Sequence, residues 1–188
     1  METIELTDGG LLLYDEAFLP RELADRYFIE LRDQCIWEQK PGIFGHMQPR
    51  LTASYGDEGV IYRYSGTENV ALPWTATMME IKEKIEAVQG EYNYCLLNRY
   101  RSGSDSMGWH ADDEPEMGKI IGSLSLGATR QFRIRHNFTR ETMTFSASNG
   151  ALMIMAGTMQ QFWKHDVPKT KTKIGERINL TFRKIVKE

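Results

Sequence analysis

Two histidines and one aspartate carry the clearest chemical signal in this chain. His110 and Asp112 stand two positions apart, and His165 follows much later in the sequence. Two imidazoles and one carboxylate are the ligand set that holds ferrous iron on one face and leaves other positions open for oxygen and a co-substrate. Residues i and i+2 of a strand point to the same side, so His110 and Asp112 can share one ion. The spacing therefore predicts an iron site made by these three side chains.

Polar side chains at alternate positions of two other segments point to an acidic co-substrate. Arginine binds carboxylates through two parallel hydrogen bonds, and an arginine that faces a barrel interior is costly unless an anion pairs with it. Donors on two strands could converge on one small dicarboxylate. They are Asn98 and Tyr100 upstream of the iron ligands, and Arg177, Asn179 and Arg183 downstream. Together with the iron ligands, these residues suggest an iron- and 2-oxoglutarate-dependent oxygenase.

Two helices are predicted in the first half of the chain. The first begins at Pro20, a residue suited to a helix start, and its apolar residues recur at helical spacing until about residue 35. The second covers residues 75–88, which present one apolar face. Gly90 then provides a stop.

After the second helix the pattern changes to short β segments separated by turns. This spacing predicts a two-sheet roll or barrel instead of alternating β-α-β units, and therefore a mostly β chain with flanking helices (α+β). Residues 101–108 are rich in Gly and Ser and are predicted to form a loop that delivers the first two iron ligands to a cavity mouth. The predicted strands cover residues 51–55, 60–64, 92–100, 120–126, 131–136, 141–145, 151–156 and 177–185.

Length and composition predict a single domain over residues 1–188. A chain of this length buries a good hydrophobic core. Its apolar runs are shorter than the roughly 20 residues of a membrane span, and its first residues lack the features of a signal peptide. Two cysteines, Cys35 and Cys95, fit a reducing compartment. We therefore expect a cytoplasmic protein without a membrane partner.

The charge is unevenly distributed along the chain. Residues 158–188 hold eight Lys or Arg against three Asp or Glu, which gives this segment a net charge of +5 and leaves −8 for residues 1–157. A locally basic face can bind phosphates although the whole chain is acidic. A solvated basic edge explains the same residues equally well.

Five segments together resemble the AlkB family of iron- and 2-oxoglutarate-dependent nucleic-acid dealkylases, over roughly residues 40–185. The resemblance is closest to members that repair double-stranded DNA. It implies a double-stranded β-helix (jelly roll) with an N-terminal helical extension, a substrate-recognition lid at about residues 40–70 and a catalytic β core at about 92–185. The matching segments are residues 97–100, 110–114, 123–127, His165 and 177–183.

The resemblance also implies a role for each polar residue of the core. His110, Asp112 and His165 would bind iron. Arg177 would pair with the distal carboxylate of 2-oxoglutarate, assisted by Asn98 and Tyr100. The residues expected near the metal-binding end of 2-oxoglutarate are Asn179 and Arg183.

The activity that follows is oxidative demethylation of N-alkylated DNA bases, which is DNA repair by direct reversal. Fe(II), 2-oxoglutarate and O2 serve to hydroxylate the N-methyl group, and succinate, carbon dioxide and formaldehyde are released. A base in a duplex must first be flipped out, whereas single-stranded DNA presents it directly. The resemblance implies no protein partner.

Two tyrosines and a glutamate are candidates to hold the damaged base. Tyr62 and Tyr64 stand two apart on a predicted strand and could present their rings to one pocket, although packing within the strand explains them too. By resemblance they belong to the lid, where Tyr64 would stack the base against His110. Glu114 matches a family carboxylate near the base and would favour a cationic lesion such as 1-methyladenine or 3-methylcytosine.

The segment formed by Ile43, Phe44 and Gly45 bears on the form of the substrate. An apolar wedge in a polar loop could fill the gap left by a flipped base, and the segment resembles the finger of a family member that repairs duplex DNA. Arg50 follows as a candidate contact to the strands. Burial of Phe44 in the core is the alternative. On this basis we expect activity on double-stranded DNA, with single-stranded DNA also possible.

Two other functions fit parts of the same pattern. The first keeps the iron chemistry but directs it to RNA, a protein side chain or a small metabolite. The second is a non-catalytic module that binds nucleic acid, which would leave the iron ligands without a purpose.

Overall fold

Two β-sheets packed face to face form the body of the protein in the computed structural model. It describes residues 1–42, 45–64 and 67–186, with the backbone alone at 62–64 and 67–69. The helices are α1 (Arg21–Gln34), α2 (Ala76–Glu86) and α3 (Met159–Phe162). The strands are β1 (Glu2–Leu6), β2 (Gly10–Asp15), β3 (Leu51–Gly56), β4 (Ile61–Tyr64), β5 (Thr67–Val70), β6 (Leu72–Pro73), β7 (Tyr94–Tyr100), β8 (Met107–His110), β9 (Ile121–Gly127), β10 (Arg130–His136), β11 (Thr142–Ala147), β12 (Leu152–Gly157), β13 (Trp163–Val167) and β14 (Arg177–Arg183).

The topology is that of a jelly roll, as the sequence predicts. The large sheet has the order β1-β2-β12-β9-β14-β7-β3-β6, and the small sheet has the order β11-β10-β13-β8. Neighbouring strands are antiparallel except β3 and β6, while β4 and β5 form a separate hairpin. Strands β9 and β10 belong to different sheets, so the chain crosses between the sheets at Gly127. This position requires glycine, because its φ is +85° and a Cβ added here would lie 2.5 Å from the Glu176 carbonyl oxygen.

Helices α1 and α2 cover the outer face of the large sheet. In α1 the buried residues Ala24, Tyr27 and Leu31 recur every three or four positions, which is the spacing of one helix face. Thr75 caps α2, because its Oγ1 accepts a hydrogen bond from the backbone N–H of Met78 at 3.2 Å. Within the described residues, no helix combines the length and the apolar character that a membrane span requires.

Strand β14 separates the hydrophobic core from the polar site. Its residues Ile178, Leu180 and Phe182 pack into the core beneath the helices. The residues between them lie on the opposite face, toward the small sheet, because side chains alternate along a strand. In register, Arg177 lies opposite Tyr100 and Asn179 lies opposite Asn98 on β7. The two sets of donors predicted from the sequence therefore share one face of adjacent strands.

Most predicted elements are confirmed, but six of the described strands were missed. Both helices and all eight predicted strands are present, with ends that differ by a few residues. Strand β8 begins within the segment predicted as a loop, because Met107 and His110 pair with β13 at the edge of the small sheet. Strand β13 contains buried His165 and Asp166, which disguise the apolar alternation of a strand. The other missed strands are β1, β2, β5 and β6.

Candidate active site

Pairing between β8 and β13 brings the three predicted iron ligands together. His110, at the end of β8, lies directly opposite His165 on β13, and Asp112 follows two residues beyond His110. One ligand atom from each of the three residues lies within 4.8 Å of the others. The ring centroids of the two histidines are 4.2 Å apart. This arrangement can surround a single ion from one side.

The hydrogen bonds of these residues fit a metal ion. Asp112 is 4% exposed, and its Oδ1 accepts a hydrogen bond from Arg183 Nη2 at 2.9 Å. Within the described part of the chain, nothing donates to Asp112 Oδ2, and a buried acceptor in this state costs free energy unless a cation binds it. His110 Nδ1 donates to the carbonyl oxygen of Gly108 at 2.8 Å, which leaves the Nε2 lone pair for a metal. The donor set is the one that ferrous iron prefers.

The protonation states are also those that a metal requires. Burial, and then the adjacent His110, lower the pKa of His165 to about 3. Burial lowers the pKa of His110 as well. Burial alone would raise the pKa of Asp112, but Arg183 and the two imidazoles outweigh it and hold that pKa below its usual value. At neutral pH the site therefore offers two neutral imidazoles and one carboxylate.

Two neighbours hold the ligands in place. Gln160 of α3 accepts a hydrogen bond from the backbone N–H of Asp112 through Oε1 at 2.9 Å, and its Nε2 donates to Met155 Sδ at 3.4 Å. The ring of Phe132 stacks on His165 with centroids 5.4 Å apart. Sequence reasoning missed Gln160, since a helix of four residues leaves no periodic signal.

Arg177 lies at the other end of the site and has unused donors. It is 1% exposed, and its Nη2 donates to Ser125 Oγ at 2.8 Å. No described residue accepts a hydrogen bond from its Nε or Nη1, and none of them forms a salt bridge with it. Burial lowers the pKa of Arg177 to about 10, so the side chain is still charged at neutral pH. A buried guanidinium in this state calls for an anion.

The remaining co-substrate candidates line the space between Arg177 and the metal ligands. Asn179 Nδ2 donates to Ser123 Oγ and to the Leu124 carbonyl oxygen, both at 3.0 Å. A cavity of about 30 Å³, measured as the volume open to the centre of a water molecule, lies in this space. Its lining includes Asn98, Tyr100, His110, Asp112, His165, Asn179 and Arg183. Arg177 reaches this lining through Tyr100, whose ring centroid is 5.2 Å from Arg177 Cζ.

The candidates for substrate binding are placed less uniformly. Arg50 is only 7% exposed, and its Nε donates to Asn98 Oδ1 at 2.9 Å, so it contacts the co-substrate pocket. Glu114 is half-buried in the segment after the metal ligands. Ile43 and Phe44 lie outside the described residues. The side chains of Tyr62 and Tyr64 on β4 are likewise not described.

Comparison with known proteins gives a consistent assignment. Residues 10–183 match the family model described as the 2OG-Fe(II) oxygenase superfamily. The chain is 35% identical over 180 residues to the DNA oxidative demethylase ALKBH2 of Mus musculus, with 87% of this chain and 75% of that protein covered. It is 39% identical over 184 residues to the alpha-ketoglutarate-dependent dioxygenase alkB homolog 3 of Bos taurus, with 89% and 64% covered.

The fold comparison agrees. A solved structure described as "The structure of OsALKBH1" superposes with a TM-score of 0.66 at 19% identity and covers 97% of this chain and 100% of that one. This likeness establishes the fold alone. Taken with the family match and the relatives, it leads to one conclusion: the chain belongs to the 2OG-Fe(II) oxygenase superfamily and, within it, to the AlkB family of dioxygenases.

Proposed function

We propose that this protein demethylates N-alkylated bases in DNA and so repairs them by direct reversal. The observation that carries the proposal is the cluster of half-buried His110 with buried Asp112 and His165. It lies in the same site as Arg177, whose charge no described carboxylate neutralises. Relatives that cover most of the chain are named DNA oxidative demethylases. Ferrous iron, when bound with 2-oxoglutarate and O2, supplies the oxidising power that hydroxylates the N-methyl group. The hydroxymethyl product then loses formaldehyde, and 2-oxoglutarate becomes succinate and carbon dioxide.

The protein residues divide this work by position. The two imidazoles and the Asp112 carboxylate bind the metal, and Arg183 holds that carboxylate in place at 2.9 Å. At the far end, Arg177 and Tyr100 bind the distal carboxylate of 2-oxoglutarate. Asn98 would assist them there, and the residues expected near its metal-binding end are Asn179 and Arg183. Walls from both sheets exclude water from the reaction, which strengthens each of these electrostatic contacts.

We propose DNA as the macromolecular partner, with the damaged base flipped into the site when the DNA is double-stranded. Lys169, Lys171 and Lys173 support this, because all three are exposed on the segment that follows β13. Exposed lysines bind the phosphate backbone irrespective of base sequence. The three lysines are among the eight Lys and Arg residues that make residues 158–188 basic.

The base itself would be held by the lid and by the loop after the metal ligands. Tyr62 and Tyr64 of the lid, residues 40–70, would stack the base, and Glu114 would favour a cationic lesion such as 3-methylcytosine. Ile43 and Phe44 would fill the gap in a duplex. Arg50 belongs to the same region, and its bond to Asn98 would link the lid to the co-substrate pocket.

The organisation and compartment of the protein are part of the proposal. We place the lid and the catalytic β core, residues 92–185, in a single domain. We further propose a cytoplasmic location without a protein partner. Two free, buried cysteines support a reducing compartment.

Mass spectrometry of methylated oligonucleotides tests the proposal. Single- and double-stranded DNA and RNA carrying 1-methyladenine or 3-methylcytosine are incubated with Fe(II), ascorbate and 2-oxoglutarate. We expect DNA to lose about 14 Da, one CH2, for each lesion. Loss from RNA alone would redirect the activity to RNA, and no loss from any oligonucleotide would exclude the demethylase assignment. Phe44→Ala tests the wedge, since equal rates for that variant and the wild type on both forms of DNA would refute it.

A further inference from the structure

Arg130 is a buried charged residue to which the proposed reaction assigns no role. It is the first residue of β10 and is 4% exposed. Its Nη1 donates to the carbonyl oxygen of Ser102 at 3.2 Å, and its Nη2 donates to those of Asp105 and Pro168 at 2.9 and 2.6 Å. Burying a charged guanidinium is expensive, and neutral carbonyl oxygens compensate less than a carboxylate would. Such a residue calls for an explanation beyond packing.

The nearest carboxylate is already engaged by another arginine. Asp105 is bound through both oxygens by Arg101, at 2.7 and 3.0 Å. Arg130 therefore contacts the backbone of Asp105, while its positive charge is only partly neutralised by the carboxylate. Burial lowers the pKa of Arg130, but a guanidinium keeps its charge in proteins.

The three carbonyl groups belong to the two segments that carry the metal ligands. Residues 102–105 lead into β8, which ends at His110, and Pro168 directly follows β13, which contains His165. The Arg130 guanidinium thus connects the segment before β8 to the residue after β13. These three bonds hold the guanidinium in a fixed position between the two segments.

Arg130 also contacts the co-substrate end of the cavity through Tyr100. The Tyr100 ring centroid is 5.5 Å from Arg130 Cζ and 5.2 Å from Arg177 Cζ, so the ring is in contact with both cations. The charge of Arg130 also acts on Arg177, adding to the effect of burial in lowering its pKa. Two neighbouring positive charges repel each other, and an anion at this place relieves the repulsion.

We propose that Arg130 is a positioning residue for 2-oxoglutarate: it fixes the Tyr100 ring and adds its charge to that of Arg177 in attracting the distal carboxylate. This inference rests on the proposed placement of 2-oxoglutarate between Arg177 and the metal. Arg130 does not touch the reacting atoms. It selects a co-substrate with a second carboxylate over one without it.

Equilibrium binding separates this role from a structural one. Titration calorimetry without oxygen measures the Kd of 2-oxoglutarate for Mn(II)-loaded protein, and of 2-oxobutyrate, which lacks the distal carboxylate. We expect Arg130→Gln to weaken 2-oxoglutarate binding about tenfold, the size of one lost electrostatic contact. Arg130→Lys should recover part of that loss because it keeps the charge. The Kd values of Mn(II) and 2-oxobutyrate should change less than about twofold.

Arg133→Gln is the matched control. Arg133 lies on the same strand, and its Nε donates to Asp166 Oδ1 at 2.8 Å, on the face that is turned away from the cavity. This variant should bind 2-oxoglutarate like the wild type. The proposal is overturned if Arg130→Gln binds 2-oxoglutarate normally, or if it weakens 2-oxobutyrate and Mn(II) as much as 2-oxoglutarate. If Arg130→Gln does not fold, Arg130→Lys decides by the same comparison.

A variant of Arg177 separates the role of Arg130 from the placement of 2-oxoglutarate. Arg177→Lys should weaken 2-oxoglutarate if the co-substrate lies where we propose. If it does so while both Arg130 variants bind normally, only the role of Arg130 is wrong. If Arg177→Lys also binds normally, the placement of 2-oxoglutarate is wrong, and the inference about Arg130 is overturned with it.

Discussion

Replacing Arg177 with methionine should stabilise the protein and greatly weaken the binding of 2-oxoglutarate. The side chain is 1% exposed, and two of its nitrogens, Nε and Nη1, have no acceptor among the described residues. Each buried donor without an acceptor costs about 1–3 kcal/mol, whereas the lost bond to Ser125 is worth about 1 kcal/mol. Arg177→Met should therefore raise the free energy of unfolding by about 1–5 kcal/mol in the absence of 2-oxoglutarate.

The response to co-substrate should change in the opposite direction. With Mn(II) present and 2-oxoglutarate at a hundred times its Kd, the wild type should gain about 2.7 kcal/mol of stability. If the variant binds about a hundredfold more weakly, the gain falls to about 0.4 kcal/mol at the same concentration. Urea unfolding in both conditions measures the two free energies.

A second arginine provides the control for this experiment. Arg99 forms a salt bridge to Glu176 at 2.8 Å and is half-buried, so its charge is satisfied. Arg99→Met should slightly lower the free energy of unfolding and leave the response to 2-oxoglutarate intact. An Arg177→Met variant that is less stable than the wild type without 2-oxoglutarate would contradict the prediction. So would a variant that still gains the full stabilisation when 2-oxoglutarate is added.

Three other predictions concern the metal and the DNA. In the metal-free protein, His165 has a pKa of about 3 in the folded state and about 6.5 in the unfolded state. Its contribution to stability should therefore be complete above pH 6.5. Below that, the free energy of unfolding should fall by about 1.4 kcal/mol per pH unit as the pH drops toward 5. His165→Gln should flatten that slope in urea titrations at pH 5–7, and an unchanged slope would contradict the assignment. Gln160→Leu should weaken Fe(II) binding about tenfold, because the backbone of Asp112 loses its hydrogen bond. Competition with a chelator measures the affinity, and an unchanged affinity would contradict this role of Gln160. Replacing Lys171 and Lys173 with glutamate should weaken oligonucleotide binding and make it less dependent on salt concentration. Turnover of a methylated nucleoside, the control, should not change. If the salt dependence of binding is also unchanged, this segment does not contact the DNA.

The polar residues of the co-substrate pocket could be predicted from the sequence, because side chains alternate between the two faces of a strand. Asn98 and Tyr100 face Arg177 and Asn179 in the observed register, as period-two spacing on adjacent strands requires. The meeting of His110 with His165 needed more than spacing, since it depends on which strands pair at the edge of the small sheet. The order of the motifs along the whole chain predicted that the two histidines meet, whereas the residues around each histidine did not.

Residues whose side chains bind backbone groups could not be identified from the sequence. Gln160 binds a peptide N–H, and Arg130 binds three carbonyl groups from distant segments. Neither the type of a side chain nor its spacing in the sequence predicts such contacts. Arg50 shows a different limit. The resemblance predicts that it contacts the DNA strands, and the structure shows its Nε bound to Asn98 inside the fold. Long-range packing decides where a side chain of this length ends.

The stoichiometry of the reaction on 3-methylcytosine in DNA tests the central claim most directly. Succinate, formaldehyde and repaired cytosine are quantified together for the wild type and for Asp112→Ala. The iron and 2-oxoglutarate mechanism predicts equal amounts of all three products from the wild type and none from the variant. Repair without succinate, or repair that survives in Asp112→Ala, would contradict it.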